Sequence, residues 1–214
     1  MSRKRFASLL LGAAVITSGL SLPSFASVLW NESVSGDLSN NQAAPNTFTL
    51  APGTNSVIGS VGTGDTQDWV SVTVPAGDAL TGYVLASFSS PGGDQQGFTG
   101  FQVGSSFVGS AFTASSYAGY AHYGPGATNP STPLSNVGTD LLPTMAQNGP
   151  GQAAAGATGF TQPIGAGTYT FLIQQLGSPT NYQFDFNVTA VPEPASLCLM
   201  GIAGTFALRR RKAR

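Results

Sequence analysis

The chain has 214 residues, of which 8% are charged, and its net charge at pH 7 is −1. All eight Lys and Arg residues lie near the two ends, at 3–5 and 209–214, whereas eight of the nine Asp and Glu residues lie between residues 27 and 190. That middle segment has no positive side chain and does not suit a nucleic-acid backbone. It also has no cysteine, so it cannot form an internal disulfide bond.

The first 26 residues have the pattern of a signal peptide. A positive region at 3–5 precedes an apolar run at 6–20, and the small residues Ser24 and Ala26 precede the expected cut. This order of charged, apolar and small residues is typical of export signals. We therefore predict passage through the export machinery and cleavage by signal peptidase between Ala26 and Ser27. The alternative is a helix that stays with the domain.

The middle segment, residues 27–190, predicts one all-β domain. Short apolar–polar alternations are separated by glycine and proline turns, and long helical periodicity is absent. Seven to nine strands in one domain favour a β-sandwich of jelly-roll type. The predicted strands are 47–50, 56–61, 70–74, 80–88, one or two across 98–107, one across 112–123, then 168–174 and 182–188.

Residues 124–159 interrupt this strand pattern. They are rich in Pro, Gly, Ala, Thr and Asn and contain few bulky side chains. Long segments without strand periodicity usually run over the surface. We therefore predict a long surface loop or a mobile insertion here.

The last 24 residues, 191–214, form a second terminal signal. An apolar run at 195–208 lies between a proline-marked break and a basic end, and its 14 residues are fewer than the roughly 20 that span a bilayer comfortably. The basic end would stay on the cytoplasmic side. A buried core helix with a basic tail is the alternative. The defining residues are Pro192, Glu193, Pro194, Arg209, Arg210 and Arg211.

This ordered tail resembles a PEP-CTERM sorting signal. The resemblance implies recognition by an exosortase in a Gram-negative bacterium that makes exopolysaccharide. It also implies removal of the tail near Pro192–Pro194 and transient anchoring in the inner membrane by a short C-terminal hydrophobic helix. The exported domain is then expected at the cell surface or in the extracellular matrix.

The middle segment is similar to a second family. The stretches that carry the likeness are 36–39, 50–59, 65–77, 165–169 and 182–188. Their order resembles bacterial pre-peptidase C-terminal-type domains, which are β-sandwich accessory modules of secreted enzymes and surface proteins. The resemblance implies an accessory or binding role and not catalysis. The segment 124–159 departs from the compact pattern of that family.

Asp65 and Asp68 are the candidate metal ligands. They lie in a glycine-rich loop just before a strand, where both carboxylates can approach one cation, and hard carboxylate oxygens suit calcium. Calcium needs six to eight oxygens, so Glu32 or Asp37 would add a third carboxylate if the N-terminal segment pairs nearby. The alternative is ordinary turn chemistry, in which Asp side chains bond their own backbone. Calcium aside, the sequence predicts no cofactor.

Two further constellations are weaker. His122 is the only histidine, and a catalytic triad would need it beside a serine and a carboxylate such as Asp94 or Asp140, but no nucleophile elbow is present. Aromatic side chains could form a sugar-stacking platform, although core packing explains the same residue types. Those aromatic residues are Trp30, Trp69, Tyr117, Tyr120 and Tyr123.

These patterns predict a non-catalytic exported protein with a structural or adhesive role in biofilm or exopolysaccharide. A carbohydrate-binding module for matrix polysaccharide is the first alternative, and a secreted hydrolase is the second. Catalytic residues are not predicted, and the ligand-binding residues are not identified by the sequence.

Overall fold

A computed structural model describes residues 26–129 and 136–191. This part of the chain folds into two packed sheets, which confirms the predicted all-β sandwich. The strands are β1 Ser27–Asn31, β2 Asn46–Thr49, β3 Gly53–Val61, β4 Gln67–Val74, β5 Asp78–Ser89, β6 Gly97–Val103, β7 Gly119–Tyr123, β8 Gly167–Gln174 and β9 Thr180–Ala190. The helices are α1 Glu32–Ser35, a 3₁₀ turn at Ala114–Ser116, and α2 Leu142–Met145. Each predicted strand overlaps an observed one, whereas β1 was not predicted.

From β1 to β6 the strands alternate between the two sheets, whereas β6, β7 and β8 all lie in the five-stranded sheet. The four-stranded sheet has the order β1-β3-β9-β5, and the five-stranded sheet has the order β2-β4-β8-β6-β7. Consecutive strands such as β3 and β4, or β8 and β9, lie in opposite sheets, as expected for Greek-key connections. The N-terminal strands β1 and β2 are additions that pair in parallel with β3 and β4.

Aromatic side chains fill the space between the sheets. Along β9, Tyr182, Phe184 and Phe186 face inward and are buried, while the residues between them are half-buried. The ring of Tyr83 on β5 stacks on Phe184 at 4.6 Å between centroids and lies 4.9 Å from Phe171 of the opposite sheet. This contact joins the two sheets through one continuous core.

The described part of the predicted surface loop covers the free edge of β5. Gly138 donates its backbone N–H to Leu85 at 2.7 Å, and Leu141 donates to Tyr83 at 2.8 Å. Exposed strand edges invite pairing with other chains, so this cover protects the sandwich. The segment also contributes to the core, since Leu141, Leu142 and Met145 are fully buried.

The outer face of the five-stranded sheet carries a second, smaller core. Trp69 on β4 and Leu172 on β8 point outward, and both are fully buried because the segment 104–118 folds over them. Phe107 from that segment contacts Trp69 at 4.9 Å between ring centroids. The alternation along β4 therefore gives two buried faces and not one buried and one exposed face.

Both terminal signals fall largely outside the described residues. This applies to residues 1–25 of the predicted signal peptide and to the residues that define the tail, namely Pro192, Glu193, Pro194, Arg209, Arg210 and Arg211. Ala26 is exposed, and β1 begins at Ser27. None of the helices in the described part of the chain has the length and hydrophobicity of a membrane span.

Candidate metal centre

Parallel pairing of β1 with β3 brings Glu32 to the candidate site. Asn31 lies opposite Ile58 in this pairing, so the residue that follows β1 lies beside the next residues of β3. Glu32 accepts hydrogen bonds from the backbone N–H of Ser60 at 2.6 Å and of Leu38 at 3.1 Å. Its carboxylate is thereby fixed by the two backbone segments on either side.

A tight turn after α1 places Asp37. Gly36 has φ +87°, a left-handed conformation that suits glycine, and its N–H closes the helix on the carbonyl of Glu32 at 3.1 Å. The indole N–H of Trp30 donates to the carbonyl of Gly36 at 2.9 Å and holds the turn from the other side. Asp37 follows directly and is exposed to solvent.

Asp68 approaches from the opposite sheet. Its side chain is on the inward face of β4 and is fully buried. The phenol of Tyr182, on β9, donates to Oδ2 of Asp68 at 2.6 Å, so this hydrogen bond links the two sheets. The other oxygen, Oδ1, is buried and has no hydrogen-bond partner among the described residues. A buried carboxylate oxygen without a donor is costly unless a cation or a proton satisfies it.

Asp65 lies at the rim of the same site. It closes a turn with Gly62, whose carbonyl accepts the N–H of Asp65 at 2.9 Å. Its carboxyl group is within hydrogen-bonding reach of the carboxyl of Asp37. Its Oδ1 is also buried and without a hydrogen-bond partner in the described part of the chain.

The oxygens are close enough to share one ion. One carboxylate oxygen from each of Glu32, Asp37 and Asp68 lies within 4.8 Å of the other two. Calcium–oxygen distances of about 2.4 Å place ligands on opposite sides of the ion about 4.8 Å apart, so the spacing fits a single calcium ion. Asp65 adjoins the group through Asp37, and backbone carbonyls or water would complete six to eight ligands.

Mutual repulsion and burial disfavour the ionised carboxylates. Burial, followed by the charge of Glu32, raises the pKa of Asp68 to about 9. Burial and the charge of Asp37 raise the pKa of Asp65 to about 6, and burial also raises the pKa of Glu32. Since residues 27–190 contain no Lys or Arg, no basic side chain of the domain can neutralise the group. A divalent cation would reverse these shifts, because opposite charge favours the ionised form.

Sequence reasoning identified the four acidic residues but missed their neighbours. Tyr182 and Ser60 come from β9 and β3 and carry no local signal of a site. Gly59 is equally important, since a Cβ there would lie 2.5 Å from the Tyr182 hydroxyl and 2.9 Å from Cδ of Glu32. Only glycine leaves room for both side chains against β3.

The alternative catalytic residues do not converge. Nδ1 of His122 lies 3.1 Å from Nε2 of Gln96, and its ring packs edge-on to Phe98. The carboxylate of Asp140 accepts the backbone N–H of Tyr83 at 2.8 Å, and that of Asp94 accepts the N–H of Ser178. Burial lowers the pKa of His122, so a neutral ring is favoured.

The predicted sugar-stacking platform is not assembled as one surface. Trp69, Tyr117 and Tyr123 are buried in the two cores. Trp30 is half-buried, and its ring lies 6.0 Å from that of Phe48. Tyr120 is the member of this set that lines an open cleft while remaining partly exposed.

Comparison with known proteins gives one finding that bears on function. The family model of the PEP-CTERM protein-sorting motif matches residues 190–212. No curated protein and no solved structure matches the chain significantly. The resemblance to pre-peptidase C-terminal-type domains is not supported by these comparisons and stays a prediction. The chain therefore carries a PEP-CTERM sorting motif, which starts at the last residue of β9.

Proposed function

We propose that this exosortase-sorted surface protein is a non-catalytic structural or adhesive component of the biofilm or exopolysaccharide matrix of a Gram-negative bacterium. The observation that carries the proposal is the position of the sorting motif. The motif begins at residue 190, where β9 ends, so removal of the tail near Pro192–Pro194 leaves all nine strands in place. At the other end, β1 begins at Ser27, the predicted first residue after signal-peptide cleavage.

A non-catalytic role is supported by what surrounds the only histidine. The partners of its ring among the described residues are the Gln96 amide, the Phe98 ring and the backbone of Gly97, and none of these groups is a nucleophile. Asp94 and Asp140 stabilise backbone amides of loops and strands. These roles are structural.

Calcium is the ligand that we propose for the acidic cluster, defined as Glu32, Asp37, Asp65 and Asp68. The support is geometric: three converging oxygens, one of them on a fully buried side chain that also has an unpartnered oxygen. Calcium would tie the N-terminal segment to the rest of the sandwich, because Glu32 and Asp37 come from α1 and the turn after it, whereas Asp65 and Asp68 come from the turn before β4 and from β4 itself. Its role would therefore be structural.

The experiment for localisation is intact mass spectrometry of the protein from its native cells, with both termini mapped. We expect a species that starts near Ser27 and ends near Pro192–Pro194. A matched variant, Glu193→Ala, should accumulate in the membrane fraction with its tail intact. A wild-type protein that keeps Arg214 in cells with an active exosortase would contradict the proposal.

A further inference from the structure

An open cleft lies on the outer face of the five-stranded sheet. It has a volume of about 400 Å³, within the range of small-molecule sites. Phe98 of β6, Tyr120 of β7 and Gln174 of β8 form its floor. Phe112 and Leu176 lie at its rim and are 73% and 61% exposed. The cleft is separate from the acidic cluster, since Glu32, Asp37, Asp65 and Asp68 do not line it.

The floor offers a fixed aromatic surface. The rings of Phe98 and Tyr120 lie 5.6 Å apart with an interplanar angle of 33°. The Tyr120 hydroxyl donates to the carbonyl of Ala155 at 2.7 Å, which holds its ring in place. Both side chains are partly exposed, so a ligand could stack on them without rearranging the core.

One polar group beside the rings has an unused hydrogen-bond donor. Gln174 is 5% exposed, and its Nε2 is a buried donor without a partner among the described residues. Gln96 is held by its own contacts, with Oε1 accepting the N–H of Thr128 at 3.0 Å and Nε2 lying next to His122. An unpaired buried amide donor is costly, and a ligand oxygen would satisfy it.

We propose that this cleft binds a neutral saccharide, with one sugar ring stacked on Phe98 and Tyr120 and a ring hydroxyl accepting a hydrogen bond from Gln174. A pyranose has an apolar face and a polar rim, which matches an aromatic floor edged by amides. Among the described residues that line the cleft there is no Asp, Glu, Lys or Arg, and burial lowers the pKa of the lining residue His122, which favours its neutral form. The surrounding domain is acidic and has no Lys or Arg, so an anionic sugar would be repelled.

The cleft lies far from the end of β9 at which the sorting motif begins. Gln174 ends β8, and the short segment 175–179 connects it to the start of β9. The tail leaves at Ala190, so the strand rise of about 3.4 Å per residue places Tyr182 and Ala190 about 27 Å apart. The cleft therefore lies at the end of the sandwich opposite the tail. This inference rests on the proposed adhesive role and names its ligand class.

The test is titration calorimetry of the exported protein isolated from native cells. The neutral probes are cellohexaose, maltohexaose and laminarihexaose. Hexagalacturonate is the anionic probe, and an alkyl polyethylene glycol ether is the apolar probe without a sugar. We expect at least one neutral hexaose to bind and hexagalacturonate to bind more weakly. Phe112→Ala, at a highly exposed position, should raise Kd about fivefold, and Tyr120→Ala more than tenfold.

Val103→Ala is the matched control, because Val103 is 68% exposed on β6 and does not line the cleft. Its Kd should equal that of the wild type, and its melting temperature shows the cost of losing an exposed apolar side chain. Failure of all three neutral hexaoses to bind overturns the proposal, as does equal binding of hexagalacturonate. Binding of the alkyl ether alone would assign the cleft to an apolar partner. These outcomes are independent of where the cell places the protein.

Discussion

Replacement of Asp68 by Asn should stabilise the calcium-free protein and remove most of its stabilisation by calcium. Without the ion, the folded protein must bury the Asp68 carboxyl, whose pKa rises from 3.8 to about 9. At pH 7 this difference corresponds to a destabilisation of about 4 kcal/mol, since one pKa unit is worth about 1.4 kcal/mol. Asn carries no charge, and its amide oxygen can still accept the hydrogen bond from Tyr182. Asp68→Asn should therefore stabilise the calcium-free protein.

Calcium should narrow this difference between the two proteins, and it should reverse their order only well above about 1,000 times Kd, where the gain of the wild type exceeds about 4.1 kcal/mol. At a calcium concentration of 100 times Kd, the wild type gains about 2.7 kcal/mol. For a domain of this size, 1 kcal/mol shifts Tm by about 2–4 °C, so the gain is about 5–10 °C. Asp68→Asn removes a central ligand and should lose most of this shift.

The assay is thermal unfolding followed by circular dichroism, in excess chelator and in a calcium series. Asp78→Asn is the matched control, because Asp78 begins β5 and does not belong to the acidic cluster. It should show the wild-type calcium shift. The reasoning is refuted if Asp68→Asn lowers Tm in chelator and still responds to calcium as the wild type does.

Three further predictions concern Asp68, Gly59 and His122. In chelator, the folded state holds a proton on Asp68 that the unfolded chain releases. The free energy of unfolding should therefore fall as pH rises from about 4 to 9, by up to about 1.4 kcal/mol per pH unit for this group. Thermal melts of Asp68→Asn across the same pH range should not show this slope. Gly59→Ala should lower the free energy of unfolding in urea by about 1–3 kcal/mol and weaken calcium binding. Gly165→Ala is the control, because its added Cβ meets no atom within 4 Å, and it should lower the free energy of unfolding by less than 1 kcal/mol. His122→Ala should leave any hydrolysis of glycan or ester substrates unchanged, and a loss that tracks the variant would point to an enzyme.

Local patterns predicted the strands well because their signal is contained in a few neighbouring residues. The alternation from Tyr182 to Val188 sets which side chains face the core, and β9 follows it. The alternation within a strand could not show which of its side chains are buried. Trp69 is on the outward face of β4, and its burial depends on the covering segment 104–118, which no periodicity of β4 reveals.

The candidate metal centre was predictable only in part, because some of its residues are brought together by contacts between distant segments of the chain. Asp65 and Asp68 are close in sequence, so their shared loop was evident. The approach of Glu32 depends on the parallel register of β1 with β3, a pairing between segments about 27 residues apart. The partner of Asp68, Tyr182, lies 114 residues away in the chain. Contacts of this kind follow from the topology and not from the composition of either segment.

The two proposed sites share a pair of strands, which suggests how they would depend on each other. Asp68 lies opposite Ile173 in the pairing of β4 with β8, and Gln67 lies opposite Gln174. Successive residues of a strand point to opposite faces, so Asp68 faces the acidic cluster while Gln174 faces the cleft. An ion at Asp68 would fix the first residues of β4 against Tyr182 and so limit movement of the last residues of β8, which pair with them. Calcium would therefore order the floor of the cleft without contacting the saccharide, and Asp68→Asn should weaken saccharide binding only when calcium is present.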